Sequence, residues 1–138
     1  MFIFTRGKYF NVSVDCQEQS IQTQVDVTEN SMFYDADMGG IPSYVTFEYM
    51  AQSISALSGI DNSRKGLPPR VGVILSVSGF STSVPVLKAG TTVSVSVRQQ
   101  DIVDRVFSFI CSAYAGDTLV STGKLTVMEI DDLKKLGI

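Results

Sequence analysis

The sequence predicts an α+β domain in which an antiparallel sheet of about five to six strands wraps one long helix. Three observations point there. Segments of strict apolar–polar alternation, the period of half-buried strands, flank one stretch whose apolar residues recur at helical spacing. The connections between strands are mostly short, which suits antiparallel neighbours rather than parallel crossovers. The 138 residues suffice for one core of ordinary size, so residues 1–138 read as a single domain.

Taken in order, Asn11–Asp15 and Ser20–Thr28 alternate apolar with polar, joined by the polar connection Cys16–Gln19. Residues 29–40 are irregular, with Asp35 and Asp37 around Ala36 and then the Gly39-Gly40 pair, and read as a loop. From Pro42 to Ser58 the period changes. Phe47, Met50, Ala51, Ile54 and Leu57 share one helical face. Pro42 suits the first helical position, where its missing N–H is no loss, and Gly59 suits a C-terminal stop. Residues 61–69 form a polar connection ending in Pro68-Pro69. Arg70–Val84 is rich in Val, with Gly72 and Gly79 as candidate bends or bulges. After a turn at Lys88–Gly90, Thr91–Val97 alternates strictly. Arg105–Tyr114 is apolar on both faces up to Cys111, as a central strand covered on each side would be, and Thr118–Ile130 is the last strand. A sheet of this size around a single helix is the hotdog architecture, one of several α+β arrangements that the pattern allows.

Composition excludes several functions. A net charge of −3 with a pI near 4.8, and no basic stripe interleaved with aromatics, leaves nothing to attract nucleic acid. No apolar run approaches the roughly 20 residues needed to span a bilayer, and the first residues lack the apolar core of a secretory signal, so a cytoplasmic protein is expected. Cys16 and Cys111 lie far apart without metal-site spacing and read as buried free thiols. There is no histidine. That removes Ser-His-Asp and Cys-His catalysis and nearly every zinc site; no metal and no cofactor is expected.

The specific stretch is Gly39-Gly-Ile-Pro-Ser-Tyr-Val-Thr-Phe-Glu-Tyr-Met-Ala-Gln-Ser53. It resembles the central-helix motif of the 3-hydroxyacyl-thioester dehydratases, with Pro42, Glu48, Met50, Ala51 and Gln52 at matching positions. It is closest to the predicted 3-hydroxyacyl-carrier-protein dehydratases of aryl-polyene and related lipid clusters, which the small-Gly pair Ser58-Gly59 and the segment Arg64–Leu75 also resemble. The resemblance implies a hotdog fold and a 3-hydroxyacyl thioester on acyl carrier protein or coenzyme A. It implies Glu48 as the catalytic acid on the hydroxyl, and a thioester carbonyl held by backbone N–H groups at the helix start. Tyr34, Gly39, Gly40, Pro42, Ser43 and Gln52 would line the substrate. It also implies a site shared by two subunits, as a homodimer or a heterodimer with another hotdog subunit. The chain departs from the pattern in two places. The histidine of the sub-branch would fall at or beside Gly40, and Tyr34 occupies the spacing of the broader family's histidine; a phenol titrating near 10 is a poor base. Ser43 replaces the glycine after the proline.

Glu48 sits among Phe47, Tyr49, Met50 and Ala51, where an ionised carboxylate is costly unless paired or functional, although an exposed helix position would also house it. Gln52, one turn on, can bond Glu48 or bridge to the sheet. Asp35 and Asp37 are either substitute carboxylates or turn formers. Arg64, Lys65 and Arg70 cluster past the helix as a docking patch for an acidic carrier, or as a solvated loop. Three functions remain open: slow dehydration through Glu48, histidine-free thioester hydrolysis through Glu48, and a non-catalytic or half-site subunit of a heterodimeric dehydratase. Arg70–Val84 is long and apolar enough to pair across a two-fold axis.

Overall fold

The computed structural model describes the backbone of residues 14–17 and, beyond them, residues 19–67 and 71–130. The elements in chain order are β1 (Val14–Gln17), β2 (Ser20–Asp26), β3 (Gly40–Pro42), a 3-10 turn (Ser43–Val45), α1 (Thr46–Arg64), β4 (Val71–Thr82), β5 (Val86–Lys88), β6 (Thr92–Val103), β7 (Val106–Ala115) and β8 (Thr118–Ile130). Six of the strands form one sheet in the order β1-β2-β6-β7-β8-β4, every neighbouring pair antiparallel, while β3 and β5 pair separately. This is the expected sheet around a single helix.

Alternation decides which side chains face the helix. In β2, Ile21, Thr23 and Val25 point inward and Gln22, Gln24 and Asp26 outward; in β6, Val93, Val95 and Val97 are fully buried. Met50, Ala51, Ile54 and Leu57 of α1 are buried, as their spacing predicts, and Phe47 packs at the edge of the same core. Each large side chain so buried contributes about 2 kcal/mol. Hydroxyl groups then fix the helix against the sheet. The Ser53 hydroxyl donates to the Tyr49 carbonyl at 2.8 Å, so the Thr23 hydroxyl, 2.8 Å away on β2, must donate to Ser53. By the same proton count Thr46 donates to the Ser43 carbonyl at 2.8 Å and receives Ser121 of β8 at 2.7 Å.

Four expectations are corrected. Cys16 and Gln17 belong to β1, which reaches the hairpin turn directly; Gln17 pairs Ser20, and Gln19 takes the left-handed conformation at φ 69°. Pro42 is extended (φ −61°, ψ 139°) and ends β3 instead of opening the helix, because Gly40–Pro42 pairs with Val86–Lys88, and α1 begins at Thr46. Gly59 does not stop the helix. Gly66 does, at φ 69°, with its N–H bonded to the Ser63 carbonyl at 3.1 Å and the Leu67 N–H to the Asn62 carbonyl at 2.8 Å, the Schellman pairing. Finally, β7 is covered on one face only: Ile110 and Tyr114 remain 44% and 37% exposed outside. Gly79 does mark a bulge, since the β4–β8 register shifts between Ser78 and Ser81 and Gly79 has φ 62°. The expected strand residues 11–13, Pro68-Pro69 and Arg70 lie outside the described residues.

Cys111 is buried and in no disulfide, its Sγ facing the Phe109 carbonyl at 4.0 Å, and burial pushes its thiol up to about 12, so it is inert at neutral pH. The side chain of Cys16 lies outside the described residues.

Candidate functional site

The site begins in the loop that leads into the helix. The Asp35 side chain accepts the Asp37 N–H at 2.9 Å, and its carbonyl accepts the N–H groups of Met38 and Gly39 at 3.2 and 2.9 Å. Asp35 is therefore a turn former. Its own N–H reaches the Gly40 carbonyl at 2.8 Å, closing the loop just before β3. Gly39 supplies the left-handed step at φ 68°. Gly40 has a different reason: a Cβ there would sit 2.1 Å from the Leu87 carbonyl oxygen on β5. The position beside which the sub-branch carries its histidine has no room for any side chain. Tyr34, at the alternative spacing, is half-buried and packs on the core.

Ser43 follows Pro42 with its N–H committed to the Pro85 carbonyl at 3.0 Å and its hydroxyl buried without a hydrogen-bond partner. Burial therefore closes over the side chain that replaces the family's glycine. Glu48 lies in the first turn of α1, where the helix dipole favours a carboxylate. It is half-buried, and desolvation raises its pKa above the ordinary 4.5. One turn on, Gln52 is buried, its Oε1 without a partner. Gly39, Gly40, Pro42 and Ser43 are thus gathered where the helix starts, and Glu48 and Gln52 one to two turns along it. Arg64 and Lys65 are exposed at the opposite end, ~24 Å from Glu48 along the axis at 1.5 Å per residue. The structure does not bring that pair to Glu48. Among the described residues no cluster of His, Cys, Asp and Glu could hold a metal, and no helix is long and apolar enough to cross a membrane.

The Glu48 shift has a measurable sign. Its folded form binds a proton more tightly than its unfolded form, so between 4.5 and the raised value folding takes up protons and stability falls as pH rises. Glu48→Gln should be more stable than wild type at neutral pH, and the difference should vanish below 4.5, in urea denaturation across that range. A constant offset at all pH values would show that the carboxyl is not desolvated.

Sequence reading passed over a second polar group. The Ser58 hydroxyl donates to Glu129 Oε1 on β8 at 2.9 Å, and the Asn62 amide approaches Ser58 at 3.5 Å. They lie beside a cavity of about 240 Å³ between the C-terminal half of α1 and strands β6 to β8, lined also by Leu57, Lys65, Phe107 and Phe109. A signal existed: residues 48, 51, 55, 58 and 62 form a helical stripe containing no large apolar residue.

An antiparallel sheet wrapped about one helix that carries a half-buried acid defines a hotdog-fold protein. The family model described as ApeP-like, ApeP dehydratase, matches residues 11–137. The chain belongs to this ApeP-like dehydratase family. Among solved structures it is similar to a chain of the dehydratase heterocomplex ApeI:P from Xenorhabdus doucetiae, with a TM-score of 0.82, 21% identity, and coverage of 91% of this chain and 84% of that one. It is also similar to smu.793 from Streptococcus mutans, solved with acetyl CoA, at TM-score 0.69, 12% identity and coverage of 90% and 92%. The phenylacetic acid degradation protein PaaI from Thermus thermophilus, a mutant form, follows at TM-score 0.65, 16% identity and coverage of 86% and 93%. These likenesses show the shared fold. No curated protein matches the chain by sequence.

Proposed function

We propose that this chain is one half of a two-subunit 3-hydroxyacyl-thioester dehydratase. It lends Glu48 to a site whose histidine comes from a second hotdog subunit, and it holds the acyl thioester, on acyl carrier protein or coenzyme A, beside α1. The observation that carries the reading is a half-buried carboxyl with a raised pKa on the wrapped helix of a chain without histidine.

Elimination removes the C2 proton, breaks the C3–O bond and sends the hydroxyl off as water with a proton from an acid. A carboxyl biased toward its protonated form suits the second transfer. The first needs a base, which position 40 cannot carry because Leu87 closes it, while the Asp35 carboxylate is engaged by the Asp37 N–H in its turn. Backbone N–H groups at the start of the helix are the natural donors for the thioester oxygen, apart from those of Ser43, which Pro85 takes, and Thr46, which bonds back to the Ser43 carbonyl. Among the described residues β4 has no strand on its outer side, and its Leu75 and Val77 are 51% and 40% exposed. A second hotdog subunit pairing there would continue the sheet and cover both. That a similar chain occurs in a dehydratase heterocomplex supports a different subunit over a second copy of this one.

The test uses this chain alone and mixed with a histidine-bearing hotdog subunit encoded beside it, each given a 3-hydroxyacyl thioester of acyl carrier protein. Enoyl product only from the mixture, together with copurification, is the expected result. Enoyl product from this chain alone would overturn the half-site reading, and release of free thiol without enoyl product would replace it with thioester hydrolysis.

A further inference from the structure

We infer that the helix-start end of this chain turns an anionic carrier away, so that the acyl carrier protein or coenzyme A bearing the substrate is received by the second subunit alone. This rests on the acyl-thioester reading above and deepens it by naming the subunit on which the carrier docks.

The charges sort by position along the sheet. Asp26 ends β2 opposite Thr92, whose hydroxyl donates to its Oδ1 at 2.8 Å, and Glu29 follows in the next connection. Asp117 sits in the turn after β7; there Ala115 pairs Val93, the partner of Val25, so that turn lies at the same end. Asp35 and Asp37 stand in the loop that closes onto Gly40, and Lys88 pairs with Gly40. The helix starts here too: the Ser43 N–H bonds Pro85 just before β5, and Thr46 meets Ser121 near the start of β8. All six charged side chains are exposed. Among the described residues this end therefore shows five carboxylates against one ammonium, a formal balance of −4 with Glu48 left out. The other described cations stand away from it: Arg64 and Lys65 past the helix, Arg98 opposite Ser20 at the far end of β2, Arg105 in the β6–β7 turn, and Lys124 midway along β8.

Two fields compete at this end. The positive end of α1 is worth about half a charge and fades within its first turn, so it draws the thioester oxygen only at contact. The excess of carboxylates acts from farther out, where it meets the charges of an approaching carrier protein or the phosphates of coenzyme A. Like charges brought together in this way slow encounter and cost affinity. The carboxylates do not form a cation site instead. Asp26 is bonded to Thr92 and Asp35 to its own turn, and among the described residues no cluster could hold a metal. The large side chains exposed on the same end, Met32, Met38 and Tyr44, are 61%, 39% and 67% exposed and carry no charge. An uncharged pantetheine arm can lie against such side chains, whereas its anionic carrier gains nothing from them. The second subunit is then the one left to hold the carrier while its thioester reaches the start of α1.

The test measures KM for 3-hydroxyacyl thioesters of acyl carrier protein, of coenzyme A and of uncharged pantetheine, using the full chain assembled with its partner subunit. Glu29→Lys combined with Asp37→Lys keeps the N–H that Asp35 takes. It should lower KM for the anionic thioesters about tenfold at about 10 mM ionic strength, where the screening length is ~30 Å, and by little near about 1 M. The kcat and the pantetheine KM should not change, and Glu29→Gln with Asp37→Asn should give a smaller shift of the same sign. At the other end of the helix, Lys65→Glu should leave all three substrates unaffected. A shift with either anionic thioester alone supports the inference and names the carrier. An unchanged or raised KM in the double Lys variant, an equal fall for pantetheine, or a rise for the anionic thioesters in Lys65→Glu would overturn it and leave the acyl-thioester reading intact. If the unmodified complex forms no enoyl product from any of the three, that reading fails and the inference falls with it.

Discussion

Replacing Glu48 by Gln should lower enoyl formation by the assembled dehydratase about 10²–10⁴-fold, the usual worth of a positioned acid or base. The amide has the size of the carboxyl and can still hydrogen-bond, but it cannot give a proton to the departing hydroxyl. Loss of fold is separable from loss of chemistry, since the same substitution removes a desolvation cost and should stabilise the chain at neutral pH. Glu48→Asp keeps the acid but withdraws it by one methylene, and a misplacement of that size costs about 10²-fold. The measurement is the rate of enoyl product with the complex verified intact by sedimentation. Unchanged turnover in Glu48→Gln would remove Glu48 from the chemistry, whatever the partner contributes.

Much of this arrangement was legible because it is local. The alternation of Ile21, Thr23 and Val25 follows from side chains pointing to opposite faces of a strand, and Ala115-Gly116-Asp117 turns the chain where Gly116 adopts φ 61°. The errors fall where two local signals compete and a distant contact decides. Pro42 suits a helix start and the end of a short edge strand equally, and only the pairing with Val86 selects the second. Gly59 and Gly66 are both candidate stops. Gly59 rests on the exposed side of a helix whose next turns are held by buried Leu57 and Asn62, while Gly66 alone reaches the left-handed conformation. Ile110 looks like core because periodicity reports only that a strand is apolar, not whether a second layer covers it. Glu48 was visible through its motif, whereas the Ser58–Glu129 contact joins a helix to a strand far along the chain, and the helical stripe marks only its Ser58 side.

Gly40→Ala should destabilise the chain by about 3 kcal/mol or more, at the upper end of the usual cost of overpacking. The reason is what the new methyl meets. Most crowded side chains rotate away, but here the neighbour at 2.1 Å is the Leu87 carbonyl oxygen, with the Leu87 carbonyl carbon and the Lys88 Cα both at 2.8 Å. The strand carrying them is already paired with β3 through Ile41↔Leu87, and both of those side chains are buried. Relief requires β3 and β5 to separate, which would expose Ile41 and Leu87 and slacken the loop that Asp35 closes onto the Gly40 carbonyl. Gly39→Ala is the control. Its Cβ meets nothing within 4 Å, so only the left-handed backbone is penalised, at about 1–2 kcal/mol. Urea midpoints with unchanged m-values would measure both. A Gly40→Ala loss no larger than that of Gly39→Ala would mean that β5 yields, and position 40 could then admit a side chain. If the larger loss is observed, Gly40→His cannot rebuild a histidine-bearing site in this chain, because the backbone of β5 occupies the space that the imidazole would need.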